Sequence, residues 1–232
     1  MKKASNRPAR FARLAAFTAV VTFALVAMTT TPARAEGEEK VDPFAGLKKI
    51  EDAKVGVAYI DPDADFSVFK RVAISDPYVA FRADWRRDQN RDRIRPISSG
   101  HAERIRSNVA KLLKEVFTER LEADDGFEVT KEAGYDVLLV KPALVDLDIN
   151  VPETQTAGAS ATVTATTGQA VLYIELFDSV SGDLLGRAAD RQVGKNAHFG
   201  LSTEALIAAQ ARQAFEEWAD KLRGFLDEHY KE

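Results

Sequence analysis

The sequence predicts an α/β (α+β) two-layer sandwich, in which a mixed sheet of about four to five strands carries two amphipathic helices on one face. Two segments repeat apolar residues at helical spacing, and several runs rich in β-branched and aromatic residues have the length of strands. Their order is strand, helix, strand, strand, strand, helix. The first unit allows a parallel crossover and the later, closely linked strands pair antiparallel, so the sheet is expected to be mixed.

The first 35 residues have the organisation of a secretory signal peptide. Basic residues precede an uncharged apolar run from Leu14 to Met28, and Ala33 and Ala35 form an A-x-A cleavage site. The apolar run, about 15 residues long, is shorter than the roughly 20 residues that a membrane-spanning helix needs. We therefore expect cleavage after Ala35, a periplasmic or secreted product, and no integral membrane segment after cleavage.

The remainder divides into a lead-in and one domain. Residues 36–58 begin with a charged run and contain few large apolar side chains, which predicts a flexible lead-in, and residues 59–230 are predicted to form a single α/β domain. Loss of residues 1–35 removes six basic and no acidic residues, so the formal charge falls from -4 to -10. Such an acidic surface disfavours binding to nucleic acid or anionic lipid. The absence of cysteine excludes disulfides, thiolate metal sites, a cysteine nucleophile and an acylated lipoprotein cysteine.

The first strand and the first helix are predicted from residues 71–121. Residues 71–81 are predicted to form a strand in which Pro77 implies an edge or a bulge, and the mixed-charge stretch 82–95 is predicted to be a surface loop. Ser98 or Ser99 can then cap a helix, because a serine oxygen accepts a hydrogen bond from a free backbone N–H. The apolar stripe of this helix consists of Ile105, Val109, Leu112, Leu113, Val116, Phe117 and Leu121.

Three further strands and the second helix follow Gly126. Residues 127–130 are expected to pair briefly, and residues 135–151 form the next long strand, whose second half places Asp146 and Asp148 on one face by alternation. Residues 161–178 and 184–193 are predicted strands of a hairpin that turns at 179–183. Ser202 or Thr203 can cap the last helix, whose apolar stripe consists of Ile207, Ala211, Ala214, Phe215, Trp218, Leu222, Phe225 and Leu226.

Known cofactor and catalytic motifs are missing from the sequence. It contains no G-x-G-x-x-G, no G-x-x-x-x-G-K-[ST] and no G-x-S-x-G, and its three histidines are not spaced to bind zinc from one helix face. The run from Asp61 to Asp65 begins like a calcium loop but has Phe66 where the loop needs glycine and Val72 where it needs glutamate. We therefore predict no cofactor and no metal site.

Two groups of residues are candidate sites. Arginines beside a tryptophan can bind carboxylates or phosphates, so the candidate binding residues are Trp85, Arg86, Arg87 and Arg91. The alternative is a solvated ion-pair network with neighbouring acidic residues. Asp146 and Asp148, roughly 7 Å apart by the rise of a strand, are a possible carboxylate pair that could bind a cation or act as acid and base. The alternative is an ordinary solvent-facing strand.

Several stretches resemble a bacterial family of unknown function, DUF3313, described as exported lipoproteins. These are residues 59–72 (YIDPDADFSVFKRV), 79–85 (VAFRADW), 145–152 (VDLDINVP), 172–185 (LYIELFDSVSGDLL) and 218–222 (WADKL), and the likeness covers most of 55–227. The resemblance implies export and a single domain, with no catalytic residues to carry over. Because this chain has no cysteine at the cleavage site, it departs from the lipoprotein pattern, which implies a freely soluble periplasmic form.

Two hypotheses about function follow. The first is a non-enzymatic envelope binding or accessory module whose partner is an unknown protein or another cell-envelope component, since no catalytic constellation is recognisable. The alternative is a metal-assisted or carboxylate-based hydrolase that uses Asp146, Asp148 or the early aspartates.

Overall fold

A mixed sheet forms the framework of the residues that the computed structural model describes, which are 46–151, 168–193 and 204–230. They belong to the compact unit Asp42–Glu232. The predicted signal peptide and the predicted caps Ser202 and Thr203 lie outside the described residues. Eight strands occur in the described part: β1 Lys48–Lys49, β2 Val57–Ile60, β3 Arg71–Ile74, β4 Tyr78–Phe81, β5 Glu128–Thr130, β6 Val137–Asp148, β7 Gln169–Asp178 and β8 Leu184–Val193.

The strand order is β1-β2-β8-β7-β6-β3-β5, and β4 pairs with β6 beyond the end of β3. Strands β3 and β4 run parallel to β6, and β5 runs parallel to β3, whereas β6, β7, β8, β2 and β1 are successively antiparallel. The prediction of a mixed sheet is confirmed, but the number of four to five strands is wrong. The strands that sequence reasoning missed or merged are two to four residues long, too short to show a period.

Three α-helices occur in the same described residues: α1 Trp85–Gln89, α2 Ser99–Glu122 and α3 Glu204–Tyr230. One turn of 3-10 helix, Phe66–Val68, precedes β3. Helices α2 and α3 share one core with the sheet, so the prediction of two helices on one face is confirmed for them. Helix α1 is additional. No described helix has both the length and the apolar character required to cross a membrane.

Helix α2 begins directly after Ser98, one of the two predicted capping residues. The Ser98 Oγ accepts a hydrogen bond from the backbone N–H of His101 at 3.1 Å. Four residues of the predicted apolar stripe, Leu113, Val116, Phe117 and Leu121, are completely buried. Ion pairs tie the outer surfaces of the two long helices together: Arg212 of α3 bonds Glu115 and Glu119 at 2.7 and 2.8 Å, and Arg120 of α2 bonds Asp220.

The predicted strand 71–81 is divided at Pro77 into β3 and β4. Proline has no N–H to donate to a ladder, and the chain leaves the sheet between Ile74 and Tyr78. Both pieces pair with β6, β3 along Val137–Val140 and β4 along Ala143–Leu147. The hairpin of β7 and β8 turns where predicted, and Gly182 takes a positive φ of 77° in its turn. Residues 161–167 of the predicted first strand lie outside the described residues.

The predicted lead-in ends earlier than residue 58. Strand β1 and the first residues of β2 lie within 46–58 and already belong to the sheet, because Lys48 pairs with Ile60 and Val57 pairs with Ala189. Few large apolar side chains are needed here, since β2 is attached by backbone hydrogen bonds to the edge formed by β8, and β1 in turn to β2.

A β-bulge at Asp146 interrupts the alternation of faces that was predicted for β6. Asp146 has a φ of 51°, and the pairing with β7 shifts between Val145 and Asp148. Leu144 and Leu147 consequently both point into the core, although simple alternation would put them on opposite faces. The prediction that Leu144 lies on the solvent face with Asp146 and Asp148 is therefore wrong.

Candidate apolar binding cavity

A cavity of about 320 Å³ lies between α3 and the part of the sheet formed by β2, β8 and β7. Its third side is the connection from β1 to β2, where Ile50, Ala53 and Val55 line the space. A volume near 300 Å³ is at the lower limit of ordinary small-molecule pockets. The cavity is thus large enough for a ligand, and it opens where a helix, a sheet and a loop meet.

Small side chains on β8 create this space. The positions of β8 that face α3 are Gly186, Ala188 and Asp190, and the register pairs them with Leu176, Ile174 and Leu172 of β7. Large apolar residues would normally fill such positions, since protein interiors are close-packed. Because Gly186 and Ala188 are short, they leave this space between β8 and α3 unfilled.

Most of the wall is apolar and immobilised by burial. Leu172 and Trp218 are each only 2% exposed, so the floor is part of the main core. Aromatic rings close the end beneath α3: the Phe66 and Phe225 centroids are 5.3 Å apart, edge to face, and the His229 ring packs on both. The apolar lining residues are Ile50, Ala58, Ile60, Leu172, Ile174, Leu176, Trp218, Leu222 and Phe225.

Asp190 is the polar anchor of the cavity wall. Its carboxylate accepts hydrogen bonds from the Gly56 N–H at 3.0 Å, the Trp218 Nε1–H at 3.0 Å and the Lys221 ammonium at 2.6 Å. These three donors come from the start of β2 and from two turns of α3. The partly buried charge is therefore neutralised, and the carboxylate connects the segment before β2, β8 and α3, which surround the cavity.

A second ion pair stands at the mouth of the cavity. The Lys54 ammonium bonds the Glu228 carboxylate, which joins the β1–β2 connection to the last turn of α3. The hydrogen bond from Lys54 lowers the pKa of Glu228. Both side chains are more than half exposed, 65% and 59%, so this contact is readily broken and can allow access.

Trp85, a predicted binding residue, is a core residue instead. It is only 1% exposed, its ring stacks 3.9 Å from that of Phe81, and its Nε1–H donates to the Ile149 carbonyl at 2.8 Å. The stretch 82–95 is therefore not a simple surface loop, because α1 is folded against a second small core made of Trp85, Ile97 and Val151. The ring has no surface on which a ligand could stack.

The arginines around α1 are largely engaged by aspartates. Asp88 lies within 3.5 Å of Arg82, Arg87 and Arg91, and the hydrogen bond from Arg82 lowers the pKa of Asp88. The structure thus contains the ion-pair network that was the alternative interpretation. Arg86, Arg87 and Arg91 are nevertheless exposed, and their role in binding a partner stays a prediction.

Asp146 and Asp148 are not brought together as a free pair. Asp148 accepts a hydrogen bond from the Arg82 Nε at 2.8 Å, whereas Asp146 occupies the bulge with an exposed side chain. Among the described residues, no group of three or more His, Asp or Glu side chains could hold a metal ion. The early aspartates form turns: Asp61 accepts from the Asp63 N–H and Asp65 accepts from the Ser67 N–H, each at 2.9 Å.

Sequence reasoning missed the cavity, although one signal for it is visible. A strand that pairs with Leu172, Ile174 and Leu176 is expected to carry large residues on the same face, but residues 186–190 read Gly-Arg-Ala-Ala-Asp. Short residues at alternate positions of a central strand indicate either a close helix or a space. Only the position of α3 distinguishes the two.

The fold and the cavity define a class of protein: an α+β sandwich with helices on one sheet face and an apolar pocket between helix and sheet. The chain belongs to the DUF3313 family, proteins of unknown function, whose model matches residues 36–222. The resemblance found in the sequence is thereby confirmed. No curated protein matches the sequence.

Several solved structures are similar at low identity. PelC from Paraburkholderia phytofirmans, solved as a dodecamer, is 10% identical, with 69% of this chain and 91% of that chain covered and a TM-score of 0.37. A neuraminyllactose-binding hemagglutinin homolog from Helicobacter pylori is 14% identical, with 69% and 87% covered and a TM-score of 0.37. Protein XCC0632 from Xanthomonas campestris is 16% identical, with 68% and 84% covered and a TM-score of 0.34.

Proposed function

We propose that this protein is an exported, non-enzymatic binding module of the bacterial envelope that holds a small apolar ligand between α3 and β8. The observation that carries the proposal is the cavity of about 320 Å³, whose walls are mostly apolar and whose floor carboxylate, Asp190, is already paired. Such a space favours a ligand that needs no hydrogen bonds from the floor.

The size of the cavity limits the ligand class. It is about twice the engineered apolar cavity of roughly 150 Å³ that binds benzene. A ligand with two or three aromatic rings, or an acyl chain of moderate length, fits this volume. The pair formed by Lys54 and Glu228 at the mouth can contact a polar end group on such a ligand.

No observation favours the alternative function of a hydrolase. Of the aspartates that this alternative requires, Asp148 is held by Arg82, and Asp61 and Asp65 bond N–H groups of their own turns. A carboxylate that serves as a general base must reach a proton of the substrate, and these three already accept hydrogen bonds from their own chain.

Titration with N-phenyl-1-naphthylamine, a neutral apolar dye whose emission rises away from water, tests the proposal. Ala188→Leu places a larger side chain in the cavity and is expected to weaken dye binding at least tenfold. The matched control is Ala189→Leu, one residue further along β8, which faces the opposite side of the sheet and is expected to leave the dye affinity unchanged.

The two tryptophans provide an internal check on the location. Trp218 lines the cavity and Trp85 lies in the second core, so the bound dye is expected to quench mainly Trp218 and the quenching is expected to disappear in Trp218→Phe. The proposal is wrong if the parent protein does not bind the dye, or if Ala188→Leu binds it as tightly as the parent.

A further inference from the structure

The sheet face opposite α2 and α3 carries exposed aromatic and aliphatic side chains. Tyr78 of β4, which pairs only with β6, is 61% exposed, and Tyr173 of the central strand β7 is 47% exposed. Within residues 46–151, 168–193 and 204–230, the helices of the main core pack on the other face. This outer face is therefore a surface whose composition needs an explanation.

The strand register aligns these side chains in one row across the sheet. Tyr78 pairs with Ala143, Ala143 with Tyr173, Tyr173 with Ala189, and Ala189 with Val57. Directly paired residues on neighbouring strands project from the same face, so the row alternates large and small: Tyr78, Ala143, Tyr173, Ala189, Val57. Each alanine therefore leaves a depression, about one strand wide, between the larger side chains on the two neighbouring strands.

Two parallel rows flank this one. On one side Lys141, Glu175 and Arg187 are successive partners, with alternating charge. On the other side the partners are Val145, Val171 and Arg191. The Glu175 carboxylate already bonds Arg187 at 2.8 Å, and the Lys141 ammonium lies 4.0 Å from the Phe177 ring centroid. Both charged groups are thus held in place by their own chain.

This pattern is complementary to itself. We propose that two copies of the chain pack these faces together around a two-fold axis. The axis is parallel to the strands and passes between the two facing sheets, level with the boundary between β6 and β7. The rotation exchanges the positions of the two central strands. Ala143 then faces the partner's Tyr173, Lys141 faces the partner's Glu175, and Val145 faces the partner's Val171; further out, Tyr78 faces the partner's Ala189.

Shape and charge both favour a second copy as the occupant. Tyrosines enter alanine gaps, the two lysine–glutamate contacts are equivalent by symmetry, and a closed two-fold contact uses the same patch on both molecules. The central row spans five strands and each flanking row spans three, so spacings of about 4.8 Å between strands and about 6.8 Å between rows give a patch of roughly 360 Å² on each copy. The total of about 700 Å² is that of a weak contact, so the dimer is expected to be reversible and to form only at high protein concentration.

Charge exchange between two variants tests the arrangement. In Lys141→Glu the two central contacts become Glu–Glu, and in Glu175→Lys they become Lys–Lys, so each variant alone is expected to dissociate at least tenfold more readily. An equimolar mixture is expected to form a heterodimer, because each of the two contacts then joins a glutamate of the first variant to a lysine of the second. Sedimentation velocity of the purified full chain over 5 to about 500 μM measures each case.

Two controls separate this interface from effects on folding and from the cavity. Ala188→Leu faces α3 and is expected to dimerise like the parent, and Glu132→Gln, an exposed residue away from the face, is expected to do the same. Circular dichroism and the Tm confirm that both charge variants are folded. The inference is overturned if the parent stays monomeric at the highest concentration, if either charge variant dimerises like the parent, or if the mixture stays monomeric.

Discussion

At the scale of single residues, Trp85, which the sequence suggests as a binding residue, has a structural role. Trp85 is predicted as a binding residue because arginines surround it, yet its ring is buried against Phe81 and hydrogen-bonded to Ile149. A stretch of mixed charge contains too few apolar residues to show a period, so a single large ring that anchors it is not recognisable. Conversely, Gly186 and Ala188, which shape the cavity, carry no chemistry that a motif search could find.

Asp146 provides a prediction about backbone conformation. Its φ of 51° is favourable for glycine and tolerable for aspartate but strained for a β-branched residue. Asp146→Val is therefore expected to lower the free energy of unfolding by about 1–2 kcal/mol. Asp146→Gly is expected to change it by less than about 0.5 kcal/mol, because the relief of strain offsets the greater entropy of glycine in the unfolded chain.

Urea denaturation of both variants measures these differences. Val129→Ile, in β5, whose pairing with β3 is regular, is the matched control and is expected to stay within about 0.5 kcal/mol of the parent. Equal losses of stability in the valine and glycine variants would show that the aspartate side chain, rather than the bulge conformation, matters at this position.

At the scale of elements, the long periodic segments were predicted well, whereas β1 and β2 were missed and β3 and β4 were predicted as one strand. Helix α2 shows both a serine cap and a seven-residue apolar stripe, and β6, β7 and β8 are each long enough to show strand composition. Strands β1, β3, β4 and β5 exist because a neighbouring strand offers them hydrogen bonds. Such pairing depends on tertiary contacts, which local sequence patterns do not contain.

The junction of β3 and β6 predicts a dependence on pH. Arg71 bonds both carboxylate oxygens of Asp136 at 2.7 and 2.9 Å, and this hydrogen bonding lowers the pKa of Asp136. A carboxyl whose pKa is lower in the folded state stabilises the protein above its unfolded pKa, near 3.9, and this stabilisation is lost as the pH falls through the lower, folded value. Asp136→Asn is therefore expected to be less stable than the parent at pH 7 and to lose less stability on acidification.

Urea denaturation at pH 7 and at several values from pH 4 down to pH 2 measures this dependence. Glu132→Gln removes an exposed carboxylate from the same connection and is expected to leave both the stability at pH 7 and the acid slope close to those of the parent. If Asp136→Asn and the parent lose the same stability between pH 4 and pH 2, the ion pair with Arg71 does not couple folding to pH.

At the scale of the whole molecule, the distribution of charge along the chain is uneven. All charged residues among the first 35 are basic, and the rest carries a formal charge of -10. The acidic part contains the sheet, both long helices and the cavity, and it matches the DUF3313 family from residue 36 onwards. The family match begins directly after the predicted cleavage site, which supports the proposal that residues 1–35 are a separate, removable segment.

Processing of the amino terminus is the prediction that belongs to this scale. Signal peptidases require small residues at an A-x-A site, so Ala35→Phe is expected to retain the leader, while Thr29→Ala, outside the site, is expected to be processed normally. Amino-terminal sequencing of the protein purified from whole cells is expected to start at Glu36 for the parent and for Thr29→Ala, and at the original terminus for Ala35→Phe. Since the leader contributes six positive charges, retention also raises the isoelectric point, which isoelectric focusing detects independently. A parent protein that keeps Met1 and stays in the cytoplasmic fraction would contradict export, and the apolar ligand would then have to be sought inside the cell.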